Sequence, residues 1–311
     1  MEPVVVFFLL GLAGGLLRTD LKFPPAVFEA LSIYLLLAIG LKGGVELAKH
    51  PLAQAAVPAL AVLALGFAIP LVAYPVLRYV GKLPRPDAAS IAAHYGSVSV
   101  VTFAVGSAYL TRLNVSYEGL LTVFLVLLEA PAILVGAMLA RRRDSTQSLG
   151  QIAREVLLGK SVFLLLGGLV AGWVIAQDFA PLDRVFFELF KGLLALFLLE
   201  MGLVAARHIG ALRRFGLFLL AFAIVMPMCS AALGLATGQL LGLSVGGMTL
   251  LATLAASASY IAAPAAMRVV VPEANPALSL GAALGVTFPF NLVVGIPLYF
   301  QAANYLAKGA L

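Results

Sequence analysis

The first fifth of the chain reads again 158 positions later. Gly14, Asp20, Gly44, Ala48, Lys49 and His50 line up with Gly172, Asp178, Gly202, Ala206, Arg207 and His208, and Leu35, Leu36 and Leu41 fall on Leu193, Leu194 and Leu199. A duplicated unit with an odd number of membrane spans sets its second copy upside down, and inverted repeats are the construction plan of many secondary transporters. The argument needs a membrane, and composition supplies it. Hydrophobic residues make up 62% and charged residues 11% of the chain, against about 45–50% and about 25% in a soluble domain. A soluble enzyme is excluded. The formal charge of +6 comes from basic residues lying between apolar runs, which makes it a topology signal and not a nucleic-acid footprint. The single cysteine, Cys229, excludes an intramolecular disulfide and every cysteine-cluster metal motif. An apolar run starts directly after Met1 and Glu2 with no basic segment before it, so it reads as a first span and not as a signal peptide.

A helix needs roughly 20 residues to cross a hydrocarbon core of about 30 Å. Charges, prolines and glycines cut the chain into ten such runs, at about 3–17, 25–47, 53–79, 87–111, 117–140, 156–177, 183–206, 215–242, 245–269 and 276–306. The expected fold is all-α and polytopic, with two inverted five-helix repeats. The first repeat covers 1–140, a polar linker 141–155, and the second repeat 156–311. Most Lys and Arg lie in the odd-numbered connections, among them Arg18, Lys22, Lys82, Arg85, Arg141, Arg142, Arg143, Arg154, Arg213 and Arg214. The even connections and the C-terminus hold Lys49, Arg112, Arg184 and Lys308. The positive-inside rule makes the odd connections cytoplasmic and places both termini outside the cell or in the periplasm of a bacterial inner membrane. The linker reads as a solvated topology signal, with docking of a regulator as the alternative.

Two runs carry small polar residues where a span should be inert. The fourth holds His94-Tyr95-Gly96-Ser97-Val98-Ser99-Val100-Val101-Thr102, and the ninth holds Ser257-Ala258-Ser259-Tyr260-Ile261-Ala262-Ala263-Pro264, about 163 positions later. Gly96 and Pro264 weaken the helical ladder, and an unwound helix in lipid must line a protein-walled cavity. Two broken helices meeting near the midplane aim half-helix N-termini at one point, where amides and hydroxyls suit an anion and freed carbonyls suit a small cation. Close packing through Gly, Ala and Ser is the other explanation of such clusters. Their recurrence at repeat-related positions favours a site.

Tyr34–Leu47 (YLLLAIGLKGGVEL), Ile91–Phe103 (IAAHYGSVSVVTF), Glu129–Ile133 (EAPAI), Ser259–Arg268 (SYIAAPAAMR), Pro272–Pro276 (PEANP) and Gly285–Pro297 (GVTFPFNLVVGIP) resemble the sodium-dependent bicarbonate transporter family first known from cyanobacteria. The resemblance spans nearly the whole chain. It implies ten helices in five-plus-five inverted repeats, a core and a gate domain, a homotrimer, and sodium-coupled bicarbonate uptake without any cofactor. Runs 3–5 and 8–10 would form the core, and runs 1, 2, 6 and 7 the gate. The middle loop is shorter here than in cyanobacterial members, which a PII-like signalling protein inhibits, so such a regulator stands open.

The expected substrate cradle is Gly96, Ser97, Ser99, Ser257, Ser259, Tyr260 and Ala263. Thr102, Glu129, Thr287 and Asn291 are the expected sodium-side residues. Glu129 precedes Pro131 in the fifth run, and bonding to the backbone groups that Pro131 frees is an equal reading of it. Lys42 and Glu200 share a repeat position with opposite charge and, with Glu46, read as scaffold; His94 invites a proton relay but reads first as a satisfied interface histidine. Rivals to the bicarbonate symporter are a sodium-coupled carrier of a larger organic anion, an intramembrane hydrolase built on His94 and Ser97, and a passive anion channel.

Overall fold

The computed structural model describes residues 3–141, 148–212 and 216–309, and among these there are helices and no strand. Arg142, Arg143 and Asp144 to Gln147 of the linker, and Arg213 and Arg214, lie outside the described residues. The helices are α1 (Pro3–Leu16), α2 (Pro25–Ala48), α3 (Leu52–Pro75), α4 (Arg85–Gly96), α5 (Val100–Arg112), α6 (Leu121–Ala140), α7 (Leu149–Leu157) and α8 (Lys160–Val174). After a single turn, α9 (Ala180–Asp183), come α10 (Phe190–Leu212), α11 (Gly216–Leu240), α12 (Val245–Ala256), α13 (Ala262–Val270), α14 (Pro276–Ala282), α15 (Phe288–Phe290) and α16 (Ile296–Gly309).

Each of the ten apolar runs is helical over most of its described residues, and among the described residues seven stretches are long and apolar enough to cross a membrane by themselves. The first run is a shorter apolar helix. The ninth breaks into α12 and α13. The sixth is a pair, with α7 bent 70° from α8. Much of the described linker is therefore helix. Ser148 accepts from the Gln151 N–H and the Gln151 side chain accepts from the Ser148 N–H, a reciprocal cap that starts α7. Its Ile152 and Val156 are buried against Ala93, Ile133 and Met267, so one face of α7 is packed and not solvated.

Helix pairing follows the glycines. α1 packs along α10, and α2 along α8. A Cβ on Gly11 would run into the Leu199 carbonyl and one on Gly202 into the Phe8 carbonyl; Gly44 meets Leu169 and Gly172 meets Leu41 in the same way. Lipid tails are as apolar as leucine, so membrane helices associate through close backbone approach, which small residues permit. That accounts for Gly44, Gly172 and Gly202 in the sequence repeat.

The apolar middle of the stretch Arg85–Arg112, α4 with α5, is wholly buried inside the molecule. It is surrounded by α3, α6, α12 and α2. Two carboxylates fasten the ends of the neighbouring helices. Glu118 accepts from the Ser244 N–H at 2.7 Å and its hydroxyl at 3.1 Å, at the N-cap of α12. Asp87 accepts from the Asn275 N–H at 2.7 Å, at the N-cap of α14.

Candidate functional site

The two interruptions lie against each other. Ser97, Ser99 and Ser257 are extended, between α4 and α5 and at the end of α12. The Ser259 N–H donates to the His94 carbonyl at 2.8 Å and the Ser97 carbonyl at 3.1 Å, while the Ser99 N–H donates to Ser257 Oγ at 2.8 Å. Backbone groups freed from one helix are thus satisfied by the other, as hydrocarbon burial demands. Serine suits the position because it leaves a helix in extended backbone and caps the next one. Ser99 Oγ accepts from the Thr102 N–H at 3.1 Å, and Ser259 Oγ accepts from the Ala263 N–H at 3.1 Å. The two bonds differ in reach: Ser99 is the N-cap of α5 and bonds the amide three residues on, whereas Ser259 lies two residues before Ile261, the N-cap of α13, and bonds the amide four residues on. Gly96 and Pro264 are not equivalent breakers: Gly96 ends α4 tight against Pro70 and Ala132, whereas Pro264 lies in the first turn of α13, where its missing N–H costs nothing.

Ser99, Glu129, Ser259 and Tyr260, with Leu36, Val98, Val100 and Ile261, line a cavity of about 10 Å³ between the breaks. That is room for about one water-sized centre. The Glu129 carboxyl faces the hydroxyls of Ser97 and Ser259, and the Tyr260 hydroxyl faces that of Ser99. Tyr260 is held edge-on against Phe288, with ring centroids 5.2 Å apart. Ser97 Oγ, Glu129 Oε2, the Tyr260 hydroxyl and His94 Nε2 are all buried without a hydrogen-bond partner among the described residues. Each such atom costs about 1–3 kcal/mol, and a polar guest with both donors and acceptors would satisfy Glu129 and Tyr260, which line the hollow, whereas His94 lines a different cavity. The first amides of α5, at Val100 and Val101, precede the reach of the helical ladder and carry its partial positive charge.

The remaining expected residues are engaged elsewhere. The Ser257 hydroxyl accepts from Ser99 and donates to the Leu254 carbonyl at 2.8 Å. The amides of Thr102 and Ala263 are taken by the serine caps. Thr287 donates to the Ala223 carbonyl at 2.6 Å and bonds the Tyr95 hydroxyl at 2.7 Å, away from the cavity. Asn291 donates from Nδ2 to the Ala256 carbonyl at 2.9 Å and accepts from the Tyr299 hydroxyl at 2.8 Å. It thereby holds the frayed end of α12 open. Lys42 forms no salt bridge with Glu200 among the described residues, and Glu46 pairs with Lys49 at 2.8 Å instead. Lys42 and Lys191 line a separate cavity of about 140 Å³ with Phe103, Ser107 and Tyr117, between α2, α5 and α10. Sequence reasoning missed this chamber, because its two lysines lie 149 positions apart and no motif links them.

Two breaks fastened inside a polytopic helical bundle, with unsatisfied polar atoms beside a small hollow, suit a membrane transport protein. The family comparison makes this specific: the model of the Na+-dependent bicarbonate transporter superfamily matches residues 3–304, and the chain belongs to that superfamily. It is a multi-span membrane protein of a family described as Na+-dependent bicarbonate transporters. No curated protein matches the chain.

Proposed function

We propose that this protein imports bicarbonate together with sodium by alternating access, with both solutes bound where the two broken helices cross. The observation that carries the reading is the pair of buried, unpartnered polar atoms on Glu129 and Tyr260 that line one cavity, with the Ser97 hydroxyl facing Glu129 beside it. Glu129, helped by the Ser97 and Ser259 oxygens, is the sodium ligand; carboxylate and hydroxyl oxygens are the hard donors such a cation takes. The α5 amides and the Tyr260 hydroxyl donate to the anion. Alone, either solute would carry an uncompensated charge into a low-dielectric interior. Together they neutralise each other, which makes anion occupancy depend on the sodium gradient.

The cavity is smaller than a bicarbonate, so binding requires the surrounding side chains to move. Larger cavities lie on either side of the crossing: the Lys42–Lys191 chamber of about 140 Å³ and one of about 100 Å³ lined by His94 and Arg268. A closed centre between two chambers suits a carrier and not a continuous pore. The ten helices act as two inverted repeats, which the reciprocal pairing of α1 with α10 and α2 with α8 supports, since exchanging the repeats converts one pair into the other. Runs 1, 2, 6 and 7 form the gate and the rest the core of each subunit of a homotrimer in a bacterial inner membrane, with both termini on the outer side. The test is uptake of labelled bicarbonate into proteoliposomes with and without an inward sodium gradient. Equal uptake in the two conditions refutes the coupling, and uptake blocked by organic anions but not by bicarbonate favours the larger-anion carrier.

A further inference from the structure

A second cavity lies beside His94. It is lined by Ser90 and His94 of α4, Pro264 and Arg268 of α13, and Ser279 of α14, and measures about 100 Å³. It therefore has room that the crossing lacks. His94 is 1% exposed, and its ring orientation is fixed: Nδ1 lies 2.7 Å from the Ser90 carbonyl. A carbonyl only accepts, so Nδ1 carries the proton and Nε2 of the neutral ring presents a lone pair. Nε2 has no partner among the described residues. Arg268 is the cation that lines this cavity, and it is in neither of the two salt bridges found among the described residues. The nearest α4 carboxylate, Asp87, is engaged with the Asn275 amide.

We propose that His94 and Arg268 form a second anion site, at the cytoplasmic mouth of the crossing, that recognises a monoprotonated oxyanion. Bicarbonate has one O–H and two oxygens that share its charge. The guanidinium matches the two charged oxygens as a planar bidentate donor, and His94 Nε2 accepts the O–H. Nitrate and chloride have no O–H to give, so the histidine adds discrimination that the arginine lacks. His94 also contacts the crossing directly, because its carbonyl accepts from the Ser259 N–H at 2.8 Å. An anion leaving the crossing toward the cytoplasm would meet this pair next. The assignment of that face and the identity of the anion rest on the proposed function.

The test isolates this site from the crossing by using full-length Glu129→Gln protein, whose central site is impaired. In detergent, at equal ionic strength, bicarbonate is expected to raise the melting temperature of Glu129→Gln protein and nitrate is not. Adding Arg268→Gln should abolish the rise. Adding His94→Leu should remove the preference over nitrate, and His94→Gln, which keeps an acceptor oxygen, should restore part of it. In vesicles of either orientation, Arg268→Gln alone should raise KM for bicarbonate about tenfold at the cytoplasmic face, the loss of one charge-assisted hydrogen bond, and leave it unchanged at the outer face. The proposal is overturned by a Glu129→Gln protein that no longer responds to bicarbonate, by equal stabilisation with nitrate, or by an Arg268→Gln protein that matches wild type at both faces. Wild-type vesicles that carry no bicarbonate, beside Glu129→Gln protein that still binds it, would sink the transport reading and leave this site standing.

Discussion

The break between α4 and α5 and the break between α12 and α13 share a Ser-x-Ser sequence but divide the work differently. Their second serines are alike: Ser99 and Ser259 each accept from an amide of the half-helix that follows and each line the cavity, although only Ser99 is itself the N-cap residue. Their first serines are not. Ser257 is saturated, accepting from the Ser99 amide and donating to Leu254, whereas Ser97 Oγ is unpartnered and faces Glu129. The asymmetry comes from the neighbours. α6 brings a carboxylate beside Ser97, while the tenth run brings Asn291, which is used up on the Ala256 carbonyl and Tyr299. The first break thus has the unpartnered serine beside Glu129, while the second contributes Ser259 and Tyr260 to the same cavity.

The sharpest way to break this comparison is Glu129→Gln. Replacing the proposed sodium ligand with a neutral isostere is expected to lower sodium-driven uptake by at least about a hundredfold, the scale of a lost charge interaction of about 3 kcal/mol, with little change in melting temperature. Uptake near wild type would move the ion site elsewhere. Next, Ser97→Ala should raise the sodium concentration for half-maximal uptake about tenfold while stability holds, because an unpartnered hydroxyl contributes no internal bond.

Ser257→Ala should do the reverse. It strands the buried Ser99 amide and costs about 1–3 kcal/mol, seen as a lower melting temperature in detergent, with sodium affinity retained in the folded fraction. If Ser97→Ala and Ser257→Ala gave the same pattern, the two breaks would be functionally symmetric and the division above would fail. The smallest effects belong to the caps. Ser99→Ala and Ser259→Ala should each cost about 1 kcal/mol of stability, read as a lower melting temperature in detergent.

Much of this was legible in the residues. The apolar runs became helices because nothing else can satisfy a backbone in hydrocarbon, and the glycines of the repeat fall where helices touch. The Ser-x-Ser clusters marked both breaks, since consecutive hydroxyls beside Gly or Pro compete with the helical ladder. Other features were hidden for physical reasons. The amphipathic α7 lay inside a stretch whose charges read as linker, although Ser148 and Gln151 spelled out its cap. Thr287 and Asn291 carry the right atoms for a ligand, but whether an atom is free depends on what packs beside it, and both are spent on carbonyls and tyrosines.

The chain alone determined a membrane-embedded helical protein, its interrupted spans and the superfamily it resembles, because these follow from local rules: hydrocarbon leaves the backbone few options, and serine, glycine and proline disturb a helix wherever they occur. Only the folded arrangement decided which polar atoms remain unsatisfied, that Glu129 faces Ser97, that Lys42 lines a cavity with Lys191, and that His94 opens onto a chamber with Arg268. Those are relations between residues far apart in sequence, and hydrogen bonding within a fold is a competition whose losers cannot be read until every partner is in place.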